Sequence, residues 1–245
     1  MIEVKVFGSG SSGNCYLLDN GIDQLMIETG LPFKKVAPRM NFNFERLRSI
    51  LISHEHNDHS KYLKQFLERT MASSFMSEGT FNRLFKSESD YENYGQCKFI
   101  KNRNKYQIGS FTVQPFDVEH DAAEPLGFLI ISGTDRLLYA TDTYYVKYHF
   151  KNVTQMLVEM NYSVDVLREE IADGIELAAI LKNRLYTSHF EMKTSLEFIK
   201  ANISDKLQQI ILIHLSGNNS YPDLFKRKTQ ELTGIPVYLA NELIS

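Results

Sequence analysis

Three histidines and one aspartate fall within six residues of this chain, in the pattern His54-x-His56-x-Asp58-His59. Imidazole nitrogens and carboxylate oxygens are ligands that Zn²⁺ and similar divalent ions bind in proteins. His54 and His56 are two residues apart on an extended segment, so they point to the same side and can bind one ion. Asp58 and His59 lie at the turn into a predicted helix and can face a second ion. The motif therefore predicts a site for two metal ions.

Three further residues with the same chemistry follow short apolar strands: His120, Asp142 and His214. In layered α/β folds, ligands gather at strand ends, where the loops converge. We therefore predict that these three residues join the motif as metal ligands. His189 precedes a predicted helix, whereas His149 has no motif around it and is assigned no role.

Short strands must position these side chains. Apolar or alternating runs bounded by turn residues predict strands over residues 3–7, 15–19, 25–28, 49–53, 111–118, 126–132, 136–140, 156–160 and 210–214. Strands followed by helices in both halves predict one α/β domain over residues 1–245. The polar stretch 77–107 has weak periodicity and is the expected insertion or lid.

Helices are predicted in four places. One should follow His59 directly with Ser60 as its N-cap, one should open with a capping box at Thr194 and Glu197, and one should start near Pro222. A helical period also links Leu167, Ile171, Ile175, Ala178 and Leu181.

The composition is that of a folded, water-soluble protein, with 43% hydrophobic and 23% charged residues among 245. Lys plus Arg number 27 against 30 Asp plus Glu, so 27 − 30 = −3, and no global field attracts nucleic acid or anionic lipid. The N-terminal residues lack a signal-peptide pattern, and no apolar run approaches the roughly 20 residues of a membrane span. We expect a cytoplasmic protein without membrane contact, in which Cys15 and Cys97 are buried free thiols.

The segment Gly8-Ser9-Gly10-Ser11-Ser12-Gly13 matches the dinucleotide-binding pattern G-x-G-x-x-G. That fingerprint needs a helix to begin within the glycines, yet residues 14–19 have the pattern of a strand. We therefore interpret the segment as a turn between two strands. Contact of its backbone N–H groups with a substrate phosphate is the alternative.

The order of these motifs resembles the metallo-β-lactamase fold, an α/β architecture built as a four-layer αββα sandwich with a two-metal site along one edge. The resemblance covers nearly the whole chain. It implies two divalent ions bridged by one carboxylate, with these ligands: His54, His56 and His120 on one ion, Asp58, His59 and His214 on the other, and Asp142 on both. Zn²⁺ is the expected ion and Mn²⁺ the alternative. Glu28 stands where the family usually has Asp, and we expect it to orient loop groups around the metals.

The resemblance also indicates a branch of this superfamily. His56 stands where the iron-dependent redox members have Glu, which disfavours redox chemistry. Ser188-His189-Phe190 and the later run His214-Leu215-Ser216-x-Asn218-Asn219 look like tRNase Z and the related bacterial two-metal exonucleases. This likeness implies a phosphodiesterase that uses metal-activated hydroxide. In it, Asp58 takes or orients the proton of the attacking water, and His189 donates to the leaving oxygen or stabilises the charge of the phosphorane.

Substrate size is predicted from charge. A nuclease that binds a long backbone usually shows a basic surface, whereas this chain is net acidic. It has one local basic cluster, at Lys98, Lys101, Arg103 and Lys105, and Tyr91 and Tyr94 in the expected lid as candidates to stack on a base.

We therefore expect a small nucleotide substrate, a 3′,5′-cyclic mononucleotide, as hydrolysed by the phage anti-Pycsar phosphodiesterases that share the fold. The alternatives are a DNA or RNA exonuclease or tRNase Z-like nuclease, then a thioesterase or lactamase, and finally a metal-binding scaffold without catalysis. A homodimer is the expected assembly.

Overall fold

A computed structural model of the protein describes residues 1–86, 95–165, 186–217 and 220–244. Within these residues the strands form two sheets. The first has six strands in this spatial order: β1 (Glu3–Gly8), β2 (Cys15–Asp19), β3 (Gln24–Ile27), β4 (Leu47–Leu51), β5 (Ser73–Met76) and β6 (Cys97–Phe99). The second has seven, which neighbour one another in chain order: β7 (Tyr106–Ile108), β8 (Phe111–Asp117), β9 (Leu126–Ser132), β10 (Asp135–Ala140), β11 (Gln155–Glu159), β12 (Gln209–Ile213) and β13 (Val237–Leu239).

The helices cover the outer faces of the two sheets. In the described part of the chain they are α1 (Phe33–Val36), α2 (Asn57–Ser60), α3 (Leu63–Arg69), α4 (Glu78–Leu84), α5 (Met192–Ala201) and α6 (Pro222–Thr233), with 3₁₀ turns at Pro38–Met40 and Ala240–Leu243.

Three apolar cores separate four layers. One core lies between the sheets and includes Leu18 and Phe128. The second combines Met26 of β3 with Phe66 of α3 on the outer face of the first sheet. The third contains Phe198 of α5 on the outer face of the second sheet. The predicted αββα sandwich is therefore confirmed.

Strand β2 shows why the sequence runs are apolar rather than strictly alternating. Tyr16 and Leu18 face the core between the sheets, whereas Cys15 and Leu17 face the outer core. A strand that is covered on both faces needs apolar residues at every position.

The strand directions bring several loops to one edge. Strands β3 to β6 are parallel, and so are β10 to β13. β8 also runs with β10, because each of them is antiparallel to β9. The segments that follow β8, β10, β11 and β12 therefore leave the second sheet at the same edge.

Two predicted helix starts are wrong. Helix α2 begins at Asn57, inside the histidine motif, and the Ser60 hydroxyl donates back to the carbonyl of Glu55 at 2.8 Å instead of capping a new helix. Helix α5 begins at Met192, with the Glu191 side chain accepting a hydrogen bond from the next turn, so the predicted capping box does not form its start. The helix expected near Pro222 is confirmed.

The described ends of the stretch 77–107 belong to the sandwich. They form α4, the edge strand β6 of the first sheet and the edge strand β7 of the second. Tyr91 and Tyr94 lie outside the described residues, as do Asn218, Asn219 and the helical period predicted over 167–181.

Three other expectations concern the glycine-rich segment, the two cysteines and membrane-spanning helices. The segment 8–13 joins β1 to β2 without a helix, which confirms the turn interpretation. Cys15 and Cys97 are both free, but only Cys15 is fully buried. Among the helices that the structure describes, none has both the length and the apolar character needed to cross a bilayer.

Candidate metal centre

The histidine motif is held in place by backbone contacts from two other loops. The Thr29 N–H donates to the His59 carbonyl at 2.6 Å, and the Asn14 N–H donates to the Asp58 carbonyl at 2.7 Å. Gly30 lies so close to this turn that a Cβ atom there would be 1.8 Å from the Asp58 carbonyl oxygen. Only glycine fits at residue 30, so the loop after β3 and the motif are matched in shape.

The first group of metal-ligating atoms comes from His54, His56, His120 and Asp142, whose candidate ligand atoms all lie within 4.8 Å of one another. His120 Nε2 is 3.1 Å from His56 Nδ1 and 3.8 Å from Asp142 Oδ2. His54 Nε2 is 3.7 Å from the same Asp142 oxygen. The fold thus brings together the four residues that the resemblance assigned to one ion.

The second group comes from Asp58, His59, Asp142 and His214, again with candidate ligand atoms within 4.8 Å of one another. Asp58 Oδ2 is 3.3 Å from His59 Nε2 and 3.2 Å from His214 Nε2. Asp142 Oδ2 is 3.3 Å from His59 Nε2, and Asp142 Oδ1 is 2.7 Å from His214 Nδ1. Asp142 belongs to both groups, as expected of a bridging carboxylate.

Hydrogen bonds at the far side of the imidazoles select which nitrogen faces the cluster. His120 Nδ1 lies 2.8 Å from the Ser188 carbonyl, and because a carbonyl only accepts, Nδ1 carries the proton and Nε2 keeps its lone pair. His54 Nδ1 contacts the Ser53 hydroxyl at 2.8 Å. His54 Nε2 is buried and has no hydrogen-bond partner. A buried imidazole nitrogen without a partner, facing a carboxylate and two other imidazoles, fits a cation ligand.

Several of these side chains leave their strands through a left-handed backbone. Glu28 (φ 63°), Asp142 (φ 42°) and His214 (φ 52°) each follow the end of a strand. This conformation is uncommon for residues other than glycine and costs on the order of 1–3 kcal/mol each. The kink turns the side chain from the sheet face toward the edge, where the two groups meet.

The two groups differ in the charges that surround their imidazoles. Burial lowers the pKa of His59 and of His214, but the surrounding carboxylates, Asp142 first among them and Asp58 next, together outweigh burial and raise both pKa values well above the usual range. Burial also dominates at His54 and His120, whose pKa values are lowered. The lowered pKa values favour neutral imidazoles at His54 and His120, which can bind a cation, whereas His59 and His214 must first release protons.

His189 lies at the open side of the cluster with its side chain 20% exposed, bound to a buried acid. Its Nδ1 is 2.6 Å from Glu159 Oε1, which also lies 3.1 Å from His214 Nδ1. Burial lowers the pKa of His189, but the charge and hydrogen bond of Glu159 outweigh this effect and raise the pKa. The fold thus brings His189 next to the ligand groups, whereas His149 lies outside both of them.

Sequence reasoning missed three polar residues at this site. Glu159, which ends β11, is fully buried and joins a third group of potential ligands with Asp142, His189 and His214. The sequence did carry a signal for Glu159, because it is a charged residue at the end of an apolar strand. Asp142 was predicted as a ligand from the same kind of position. Asn14 Nδ2 lies 3.1 Å from His59 Nε2, and Ser9 Oγ accepts from the His214 N–H at 2.8 Å. Both belong to or follow the glycine-rich turn, where the sequence carried no such signal.

Glu28, the departure from the family pattern, supports the motif. It is fully buried, with Oε1 3.5 Å from His59 Nδ1 and 3.2 Å from the Tyr139 hydroxyl. Both of its oxygens lie 3.3 Å from the Ser53 N–H. The longer carboxylate therefore contacts the imidazole and the loop, as expected for an orienting residue.

The chain matches the family described as beta-lactamase superfamily domain over residues 15–214, and it belongs to that superfamily. Exodeoxyribonuclease WalJ of Streptococcus pneumoniae is 26% identical over 232 residues, which cover 91% of this chain and 84% of the relative. Exodeoxyribonuclease YycJ of Bacillus anthracis is 25% identical over 239 residues, which cover 94% of this chain and 89% of the relative.

Solved structures show the same fold. The metallo-beta-lactamase fold protein YhfI from Bacillus subtilis has a TM-score of 0.70 at 14% identity, over 97% of this chain and 95% of its own. A diphosphatase from the PhnP family has a TM-score of 0.65 at 14% identity, over 98% and 95%. The predicted metallo-β-lactamase fold, its nuclease and phosphodiesterase branch, and a metal-dependent hydrolase with a divalent-metal site are thus confirmed.

Proposed function

We propose that this protein is a two-metal phosphodiesterase that removes nucleotides from DNA ends. The observation that carries the proposal is the pair of ligand groups sharing Asp142, with the His189–Glu159 pair at their open side. The DNA substrate is supported by relatives named exodeoxyribonucleases, which match more than nine-tenths of the chain.

Seven side chains would hold the two ions. The assignment follows the two geometric groups: His54, His56 and His120 for one ion, Asp58, His59 and His214 for the other, and Asp142 for both. When bound, two divalent ions acidify water and neutralise charge on a phosphodiester during an in-line displacement. Zn²⁺ and Mn²⁺ both accept imidazole and carboxylate ligands, so the proposal covers either ion.

Asp58 orients the attacking water in this proposal. Burial raises the pKa of Asp58, but hydrogen bonds from His214 and His59 outweigh burial and hold the pKa well below its usual value. Such a carboxylate stays ionised at neutral pH. It therefore accepts a hydrogen bond from water and directs it, and it is too weak a base to store the proton.

His189 protonates the leaving oxygen. Glu159 occupies its Nδ1, so the donor available to substrate is Nε2. The raised pKa favours the protonated ring, which suits a general acid that acts on a departing alkoxide.

A 3′,5′-cyclic mononucleotide is the second candidate substrate, because a net charge of −3 disfavours long-range attraction of a polymer. Purified protein loaded with Zn²⁺ or Mn²⁺ should be incubated with single-stranded DNA, single-stranded RNA and cyclic CMP, UMP and AMP. Release of mononucleotides from DNA ends supports the first proposal, and turnover of the cyclic nucleotides alone supports the second.

Asp58→Ala tests the site itself. We expect loss of hydrolysis on every substrate, while Asp223→Ala, an exposed residue in the first turn of α6, keeps wild-type turnover. Retained hydrolysis in Asp58→Ala, or no turnover of any phosphodiester by the metal-loaded wild type, would refute the proposed function.

A further inference from the structure

The loop that follows Asp142 presents two tyrosines to solvent at the rim of the metal centre. Tyr144 is 40% exposed and Tyr145 is 53% exposed. The Tyr144 N–H donates to the Glu119 carbonyl at 3.1 Å, which ties the loop to the segment just before His120. The Thr143 hydroxyl also donates to the Tyr145 carbonyl at 2.8 Å. The two exposed rings therefore sit on a fixed loop beside both ligand groups.

The fold brings the basic cluster at 98–105 to the same loop. The Asn102 amide donates to the Tyr148 hydroxyl at 3.2 Å, and the Arg103 guanidinium lies 5.5 Å from the centre of the Tyr148 ring. The Tyr148 hydroxyl also donates to Asp117 at 2.6 Å, which fixes the position of the ring. The contact between Asn102 and Tyr148 spans 46 residues of sequence and joins the basic cluster to the tyrosine loop.

The cations of this surface are available to an anion. Lys101, Arg103 and Lys105 are exposed, and none of them forms a salt bridge with another residue in the described ranges. Lys147 is exposed as well, although it is paired with Asp117 at 2.5 Å. Phosphates of a strand can thus reach three positive charges without displacing a described carboxylate partner.

A cavity of about 220 Å³ lies beside the tyrosines. Its lining includes Tyr145, Tyr148, Phe190 and Glu197. Phe190 is the residue after His189, so one wall of the cavity comes from the segment that carries the predicted acid. The Glu197 carboxylate disfavours a phosphate in this cavity, whereas aromatic walls suit the flat face of a base.

We propose that the tyrosine loop, the cavity and the basic cluster form one binding track for single-stranded DNA, on which bases stack while the phosphates face Lys101, Arg103 and Lys105. Proteins that bind single strands combine aromatic platforms with a cationic groove in this way. The inference rests on the proposed function, because it assumes that a DNA end enters the metal centre. It adds that the DNA strand leading to that end is bound in single-stranded form, with its bases unpaired.

Two variants of the metal-loaded protein test the track: Tyr145→Ala and the double variant Lys101→Gln/Arg103→Gln. The measured quantity is kcat/KM on a short oligothymidylate divided by kcat/KM on bis(p-nitrophenyl) phosphate, a small ester without bases. We expect Tyr145→Ala to lower this ratio about tenfold or more. In the double variant, the slope of log KM against log salt should fall by about 1.4, since each phosphate contact on a single strand contributes about 0.7.

Matched controls lie away from the track. Tyr238→Ala changes a 38% exposed tyrosine on the edge strand β13, and Lys206→Gln changes an exposed lysine that precedes β12, at the end opposite His214. Both should keep the wild-type ratio and salt slope, and thermal unfolding checks that all variants are folded.

An unchanged ratio in Tyr145→Ala together with an unchanged salt slope in the double variant would overturn the track while leaving the proposed function intact. Hydrolysis of the small ester but not of the oligonucleotide by the wild type would refute the DNA substrate and the track with it.

Discussion

Glu159→Gln tests whether one buried carboxylate controls the proton on His189. One Glu159 oxygen lies 2.6 Å from His189 Nδ1 and 3.1 Å from His214 Nδ1. The other accepts backbone N–H bonds from Thr143 at 3.1 Å and Phe190 at 3.3 Å. Glutamine has the same size but no charge. Its amide N–H₂ group would face either the two imidazoles or the two backbone N–H groups, and a donor there cannot accept their hydrogen bonds.

The expected loss follows from the role of the proton. Glu159 raises the pKa of His189 against the effect of burial, so the pKa should fall when the charge is removed. A general acid must be protonated, and the alkaline limb of the kcat profile should therefore move to lower pH. General-acid catalysis contributes about 10²–10⁴-fold in rate, or about 3–5 kcal/mol in activation free energy.

The assay is kcat on single-stranded DNA at saturating substrate across pH, with the metal content of each preparation measured. His189→Ala and the double variant complete a cycle. If Glu159 acts through His189, the double variant is no slower than His189→Ala alone. Glu231→Gln, on the exposed side of α6, serves as the control. A Glu159→Gln enzyme with full metal content, a kcat within about threefold of wild type and an unmoved alkaline limb would refute the reasoning.

Three further changes test the support of the site. Glu28→Ala should lower the free energy of unfolding by about 2–6 kcal/mol, measured by urea titration. The Ser53 backbone N–H and the Tyr139 hydroxyl would lose their buried acceptor, at a cost of about 1–3 kcal/mol each. Glu28→Asp should recover part of the loss. Gly30→Ala should abolish stable metal binding in equilibrium dialysis, since its Cβ would collide with the Asp58 carbonyl; wild-type metal content would contradict this. Metal affinity should fall as the pH is lowered, because His59 and His214 have raised pKa values and protons compete with the cation. Calorimetric titrations in two buffers of different ionisation enthalpy should reveal proton release, and identical heats would speak against it.

The helix that carries His59 shows why local signals failed at some boundaries. Ser60 is a favourable N-cap residue, and this local preference predicted a helix after the motif. The structure starts the helix at Asn57, where the loops after β1 and β3 hold the carbonyls of Asp58 and His59. Tertiary hydrogen bonds to the backbone therefore outweigh a capping preference of about 1 kcal/mol.

The two parts of the proposed DNA-binding track lie far apart in the sequence. The cluster around Arg103 and the tyrosines at 144–148 gave no joint signal, because their contact depends on the pairing of distant segments. The tyrosines that sequence reasoning did select, Tyr91 and Tyr94, lie outside the described residues.

The amino-acid sequence by itself determined the layered architecture and the chemical type of the site. Covered strands need continuous apolar runs, and a cation needs imidazole and carboxylate groups, so both requirements appear as residue type and spacing. Only the tertiary structure decided that Glu159 is paired with His189 and that the same carboxylate contacts His214. These relations depend on left-handed turns at strand ends and on the order of strands in the sheet, which place residues far apart in the chain within hydrogen-bond distance.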